Sequence, residues 1–244
     1  MTPVESRREP AVIGLLGGMS WPSTITYYRA INEAVAGRLG GSHSARIVVW
    51  SQDYAEVEQR QLAEDWQGAG ELLALGARRL EAAGADLLAI ACNTMHRVAD
   101  AVRAAGSLPL IDIVEVAAEA AGDRGITRAA VLGTRFTAEG GQFARALTAR
   151  GIEPVLPAPG DQALIDRLIY EELCLGTVSA SGSAAFRDVR ARLCADGVDG
   201  VVLACTELGL LLTPAERAAR ELVDTVEAHV DALVNASLQA DPPR

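Results

Sequence analysis

The sequence predicts an α/β fold of two similar Rossmann-like domains, each with a parallel sheet, related by a pseudo-twofold axis around a central cleft. Three observations carry that prediction. Short apolar runs alternate with amphipathic helical stretches along the chain, the pattern of βαβ units. The second half repeats motifs of the first in the same order. The 244 residues, 50% of them hydrophobic, are enough to bury two cores.

The elements follow in order. Residues 11–16 form a buried strand, and Ser20, with Pro22 close behind, opens a helix to about Val35. Residues 46–51 are rich in β-branched side chains and form a strand. A long helix is expected over 62–83, ended by Gly84. A strand over 86–91 and a helix over 94–105 come next, then a short strand at 110–113 and a helix from about Val114. The order then restarts with strand 129–132, helix 138–150, strand 154–156, helices 161–175 and 183–195, and strand 200–204. A last strand at 221–223 leads into a closing helix at 226–238.

The repeat is visible residue by residue. Arg79–Cys92 reads RLEAAGADLLAIAC, and Arg192–Cys205, 113 positions on, reads RLCADGVDGVVLAC, with seven of fourteen positions identical. Ile13–Gly18 (IGLLGG) parallels Ala129–Thr134 (AAVLGT), and Leu110–Ala117 (LIDIVEVA) parallels Leu222–His229 (LVDTVEAH). Apolar composition makes any two strands look alike, but it does not pair Gly, Asp and Cys at fixed spacing. A duplicated half is the reading that follows.

Composition removes several function classes. Every Lys/Arg position is Arg, so there is no Lys for a pyridoxal Schiff base or for a Walker phosphate loop. A net charge of −10 argues against nucleic acid as a partner. No apolar run approaches the roughly 20 residues that span a bilayer, so no membrane is expected. The start of the chain is charged and polar, so no signal peptide is expected there. Cys92, Cys174, Cys194 and Cys205 do not make a disulfide scaffold, and the expectation is a reduced, cytoplasmic protein. No His/Cys/Asp cluster has metal-ligand spacing, so no metal is expected.

In open α/β sheets ligands sit at the carboxyl ends of the strands. Cys92 follows the strand 86–91 and Cys205 follows the strand 200–204, so two thiols stand at equivalent strand ends and face one cleft. Opposed thiols suit inversion at a carbon: a thiolate on one face removes a proton, and a thiol on the other returns one. Each cysteine leads into a helix start or turn, Cys92-Asn93-Thr94 and Cys205-Thr206-Glu207, whose N–H groups stabilise a thiolate or hold a carboxylate.

The motifs Gly14-Leu-Leu-Gly-Gly-Met-Ser20, Ala91-Cys-Asn-Thr-Met-His96, Leu132-Gly-Thr134 and Ala204-Cys-Thr-Glu-Leu208 resemble those of the cofactor-independent aspartate/glutamate racemase family. The likeness runs over about residues 11–238 and is nearest to the aspartate racemase and broad acidic amino-acid racemase branch. It implies two α/β domains with the site between them, a C-terminal helix packing back on the first domain, and two cysteines as the base pair. The halves are then expected at 11–113, with the helix of about 224–238, and at 114–223, with flexible ends at 1–10 and 239–244.

The resemblance implies Cys92 and Cys205 as catalytic residues, no cofactor, a small dicarboxylic amino acid as substrate, and a homodimer. Asn93, Thr94 and Thr206 are expected on the substrate carboxylate, with Met19, Ser20, Thr134 and Gln52 on the same cleft. His96 and Glu207 are expected to tune the thiols; a nearby Glu207 carboxylate disfavours a Cys205 thiolate. Without Lys, the distal carboxylate would need a donor such as Gln52, Arg60 or Arg135. Cys174 and Cys194 read as small core residues, and His43 and His229 as surface or packing residues. A thiol-dependent isomerase or decarboxylase of a dicarboxylic acid, and an inactive ligand-binding homologue, stay open at this point.

Overall fold

The computed structural model describes residues 9–239. The first sheet contains β1 (Ile13–Gly17), β2 (Ile47–Ser51), β3 (Leu87–Ile90) and β4 (Leu110–Ile111). Between these strands lie α1 (Trp21–Leu39), α2 (Tyr54–Leu62), α3 (Trp66–Ala82), a 3₁₀ turn Thr94–Val98 and α4 (Ala99–Arg103). After α5 (Ile113–Asp123) comes the second sheet, made of β5 (Arg128–Gly133), β6 (Glu153–Val155), β7 (Gly200–Ala204) and β8 (Leu222–Asp224). Its connections are α6 (Arg135–Gly140), α7 (Gln142–Ala149), α8 (Pro159–Arg167), α9 (Ala180–Ala195) and α10 (Pro214–Arg217); α11 (Thr225–Gln239) is the last element of the described residues.

The sheets run β2-β1-β3-β4 and β6-β5-β7-β8, every pairing parallel. The same order in both is what a duplicated half requires. Every residue of β1, β3 and β7 is buried, which is why these segments read as continuous apolar runs rather than alternating ones. Repeat partners also act alike. Asp112 caps α5 by accepting from the Val114 N–H at 2.8 Å, and Asp224 caps α11 by accepting from the Val226 N–H at 2.9 Å.

The two helices that follow the last strand of each sheet are exchanged. Ile113, Val114, Ala117, Ala118 and Ala121 of α5 pack with Val131, Val202 and Val223 of the second sheet. Val226, Val230, Leu233 and Val234 of α11 pack with Ile13, Leu15, Leu87 and Tyr27 of the first half. Each fully buried Val, Leu or Ile among them stabilises by about 1.5–3 kcal/mol. His229 locks the exchange: its Nε2–H donates to the Ile111 carbonyl and its Nδ1 accepts from the Tyr27 hydroxyl, both at 2.8 Å. Of the residues expected at the surface or in packing, His229 is therefore a packing residue and His43 an exposed one.

Several helices depart from expectation for local reasons. The expected helix 62–83 starts at Trp66, because Glu64 has a φ of 55° and Asp65 caps the new start through the Gly68 N–H at 2.9 Å. Tyr54–Leu62 is a separate helix capped by Asp53. The stretch 94–105 is a 3₁₀ turn followed by a short helix. The expected helix 138–150 is two helices parted at Gly141, whose φ is 66°. The expected helix 161–175 is regular only to Arg167, then becomes a π segment, Leu168–Glu172, and a 3₁₀ turn, Leu173–Leu175. Cys194 is exposed rather than in the core. The ends expected to be flexible fall almost entirely on residues 1–8 and 240–244, outside the described residues. No helix among the described residues is long and apolar enough to cross a membrane.

Candidate active site

Three strand-end turns converge between the sheets. The turn after β1 carries Met19 and Ser20, and it needs a glycine. Gly18 has a φ of 85°, and a Cβ there would lie 2.2 Å from the Gln52 carbonyl oxygen. The turn after β3 carries Cys92, Asn93 and Thr94, and the turn after β7 carries Cys205, Thr206 and Glu207. All eight residues line one cavity. Thr134, at the end of β5, lines it too. The remaining wall comes from α2 (Tyr54, Gln61) and from the irregular segment after α8 (Ile169, Tyr170, Cys174). A π segment in a helix is often found at such a site.

The two thiols differ. Burial pushes Cys92 up to about 12, with the Glu207 charge adding to it, while the backbone N–H groups of Met95 and Thr94 pull the other way. Cys205 is raised well above the ordinary thiol range, first by burial and then by Glu207. Its S–H donates to Glu207 Oε2 at 3.2 Å. Cys92 is therefore the better placed to carry a thiolate and Cys205 to remain a thiol.

Polar bridges join the halves on either side. Glu207 is buried and accepts from Ser20 Oγ at 3.0 Å, from Ser23 Oγ at 2.5 Å and from Thr206 Oγ1 at 2.5 Å. Ser20 stands at the N-cap position of α1, yet its side chain makes no capping bond; Glu207 takes it instead. Thr94, two residues after its cysteine as Glu207 is, meets Thr134 and Thr137 with hydroxyl separations of 3.0 Å each. Asn93 lines the cavity with both amide atoms buried and without a partner. A buried amide with nothing to bond is costly, at about 1–3 kcal/mol per group, unless a ligand or water completes it.

The other expected residues lie elsewhere. Gln52 is turned toward α3, its amide donating to the Leu72 carbonyl at 3.4 Å, and is off the cavity wall. Arg60 pairs with Asp65 at 2.8 Å, and the Arg135 guanidinium lies over the Phe136 ring. Neither lines the cavity. His96 is buried behind Cys92. Its Nδ1–H donates to the Cys92 carbonyl at 2.8 Å and its Nε2 accepts from the Ile113 N–H at 3.3 Å, so both nitrogens are occupied and burial keeps the ring neutral. Cys174, expected in the core, is half-buried on the cavity wall. Tyr54, Gln61, Ile169 and Tyr170 were not foreseen: they sit on helices remote in sequence from the strand-end motifs. Ser23 was missed as well, although it stands three residues after Ser20 on the helix face that Ser20 opens. Among the described residues no group of three or more His, Cys, Asp or Glu side chains is arranged to hold a metal ion.

Known proteins share this arrangement. A family profile described as Asp/Glu/Hydantoin racemase matches residues 16–233. A Yersinia pestis structure put forward as an Asp/Glu racemase is 43% identical, covering 94% of this chain and 100% of its own, with a TM-score of 0.85. A Pyrococcus horikoshii structure described as an aspartate racemase homologue is 29% identical over 93% of this chain and 99% of its own, with a TM-score of 0.80. Glutamate racemase from Francisella tularensis, solved with D-glutamate, is 14% identical over 94% of this chain and 81% of its own; its TM-score of 0.66 shows a shared fold. With a family match over most of its length on a fold of two parallel sheets, the chain belongs to the Asp/Glu/Hydantoin racemase family.

Proposed function

We propose that this protein racemises an α-amino acid by two-base proton transfer between Cys92 and Cys205, without a cofactor. One observation carries the reading: the two cysteines end equivalent strands of two like-ordered sheets and line the same cavity. The Cys92 thiolate takes the α-proton, so a C–H bond breaks and an S–H bond forms. The electron pair left on the α-carbon then takes the proton of the Cys205 thiol from the opposite face. The product is the mirror-image amino acid, with the two sulfurs exchanged in protonation.

Burial makes a thiolate costly in the free cavity, and the substrate's α-ammonium supplies the positive charge that offsets it. The free amide of Asn93 suits an α-carboxylate by donation and an ammonium by acceptance. Thr94, Thr134 and Thr206 offer hydroxyls on the same wall, and Met19 and Ser20 close it. Glu207, held by its four donors, keeps the Cys205 proton in place; His96 fixes the Cys92 carbonyl behind the site. The names of the relatives make aspartate and glutamate the first substrates to test.

The test is incubation of L- and D-amino acids with the protein in D₂O, following the α-proton by NMR and chirality by chromatography. Exchange with inversion is expected. Decarboxylation, or no exchange with any amino acid, overturns the reading. A homodimer and a reducing cytoplasmic setting are part of the proposal. Trp21, Ile25 and Tyr28 expose an apolar stripe on one face of α1, fit for a second copy. Sedimentation as a monomer at micromolar concentration would remove the dimer and leave the site within one chain intact.

A further inference from the structure

We propose that the groove between the Cys92 turn and α7 is a binding site for a phosphate dianion, either free or as the monoester of a hydroxylated metabolite. The groove holds about 340 Å³, the size of a small-ligand site. Its first wall belongs to the first half and carries His96 and Arg97 of the 3₁₀ turn that follows Cys92. Its second wall is α7 of the second half, with Gln142 and Arg145. The start of α5, where the chain passes from one half to the other, completes it. The groove shares no lining residue with the cavity of Cys92 and Cys205, so its test does not rest on the racemase reading.

Gln142 is the residue that points to a ligand. Its side chain is buried on the groove wall, and neither its amide nitrogen nor its amide oxygen has a partner. A native fold rarely leaves both ends of a buried amide unpaired, and a ligand that meets them removes the cost. Two cations converge on the same spot. A Cβ at Gly140 would collide with the Gln142 amide oxygen and lie 3.5 Å from Arg97 Cδ, and Arg145 Nη1 donates to the Gly140 carbonyl at 3.1 Å. The Arg97 guanidinium stands 4.1 Å from the centre of the Trp66 ring, which covers one of its faces and leaves its N–H edges available. The remaining charges of the groove are already committed. Arg103 pairs with Asp100 at 2.8 Å and with Asp112, and Glu115 pairs with Arg150 at 2.8 Å. Arg97 and Arg145 have no carboxylate partner among the described residues. Two uncommitted guanidinium groups, one from each half, and one amide match the charge and the acceptor oxygens of a phosphate dianion. A monocarboxylate would neutralise only one of the two. Asp100 and Glu115, on the same groove, keep lone pairs to accept hydrogen bonds from the hydroxyls of an ester.

The experiment is calorimetric titration of the full chain at fixed ionic strength with inorganic phosphate, glucose 6-phosphate and glucose. Saturable binding of inorganic phosphate at one site per chain is expected, with none for glucose. Glucose 6-phosphate binding several-fold tighter than phosphate assigns the site to a phosphorylated metabolite, and equal affinity assigns it to the free anion; either result supports the dianion site. Two variants locate it. Gln142→Met keeps the length of the side chain and removes an amide without partners, so it should fold at least as well as the parent. Arg145→Gln changes an exposed position. Each should weaken phosphate binding by about tenfold, the worth of a hydrogen bond to a charged group. No saturable phosphate binding, or binding undiminished in both folded variants, overturns the inference and leaves the racemase reading untouched.

Discussion

The Cys92 side of the cleft and the Cys205 side repeat one motif in different electrostatic surroundings. Behind Cys92, four residues on, stands His96, a neutral ring bonded to the cysteine's own carbonyl. The equivalent place behind Cys205 is Gly209, where a Cβ would lie 2.6 Å from Asp224 Oδ2 and the Arg217 guanidinium bonds the Gly209 carbonyl. Two residues after the cysteine the contrast is sharper. Thr94 is a neutral member of a hydroxyl cluster, and Glu207 is a buried carboxylate that accepts a hydrogen bond from the Cys205 S–H. A fold with near-twofold symmetry thus holds two thiols in unlike surroundings. The proposed two-base reaction needs one thiolate and one thiol at any moment, and the two exchange those states with each turnover.

The largest effect that could break this comparison comes from the thiols themselves. Cys92→Ala and Cys205→Ala should each lower racemisation by at least about 100-fold. Each should retain α-proton exchange toward one enantiomer, and the two variants should retain opposite ones. Near-native racemisation by either variant would end the two-base scheme.

A second test concerns the histidine that holds the exchanged helix. His229 ordinarily titrates near 6.5 and is pushed down to about 3, first by burial and then by His96. Between those values the unfolded chain binds a proton that the folded chain does not. Stability contributed by neutral His229 is therefore complete above pH 6.5 and falls as the pH is lowered, by about 1.4 kcal/mol per pH unit at most. His229→Gln should flatten that slope in urea titrations run at successive pH values, and an unchanged slope would argue against this origin.

Glu207→Gln sharpens the contrast between the sides. Thiolate formation at Cys92 is opposed by burial and by Glu207, so kcat/KM should climb with pH through the neutral range. Without the carboxylate charge the climb should begin about one pH unit lower. A profile unmoved by the substitution would mean that Glu207 serves only to bridge the halves. The smallest effect is expected at Cys194→Ala. This thiol is exposed, and its loss should leave turnover unchanged and stability within about 0.5 kcal/mol. A fall in turnover would point to a role the cavity does not suggest.

Much of this arrangement was legible in the residues. All eight strands among the described residues were found within a residue or two: β1, β3, β5 and β7 are buried and leave uninterrupted apolar runs, and the repeat doubles each signal. The cysteines and their neighbours Asn93, Thr94 and Thr206 were legible because strand-end chemistry is local in sequence. The far wall was not. Tyr170 lies where the helix widens to a π segment, so regular helical spacing misplaces its side chain. Tyr54 and Gln61 belong to a helix defined by its Asp53 cap rather than by a strong apolar stripe, and the sequence reading assigns no element to residues 54–61. Gln52, Arg60 and Arg135 were expected for their charge or polarity alone. Which way such a side chain turns depends on tertiary partners such as Leu72, Asp65 and Phe136 that sequence proximity does not reveal.

The exchange of α5 and α11 bears on how the chain comes to be folded at all. The face of the first sheet formed by Ile13, Leu15 and Leu87, with Tyr27 and Ile31 of α1, is covered by a helix made of the last residues of the described chain. On a ribosome that face stays bare until α11 has been made, more than a hundred residues after β4, while α5 waits for β5 and β7 before it has anything to pack against. The first half should then be a poor folding unit on its own, and a nascent chain stalled before residue 225 should be a client for chaperones or a target for proteases.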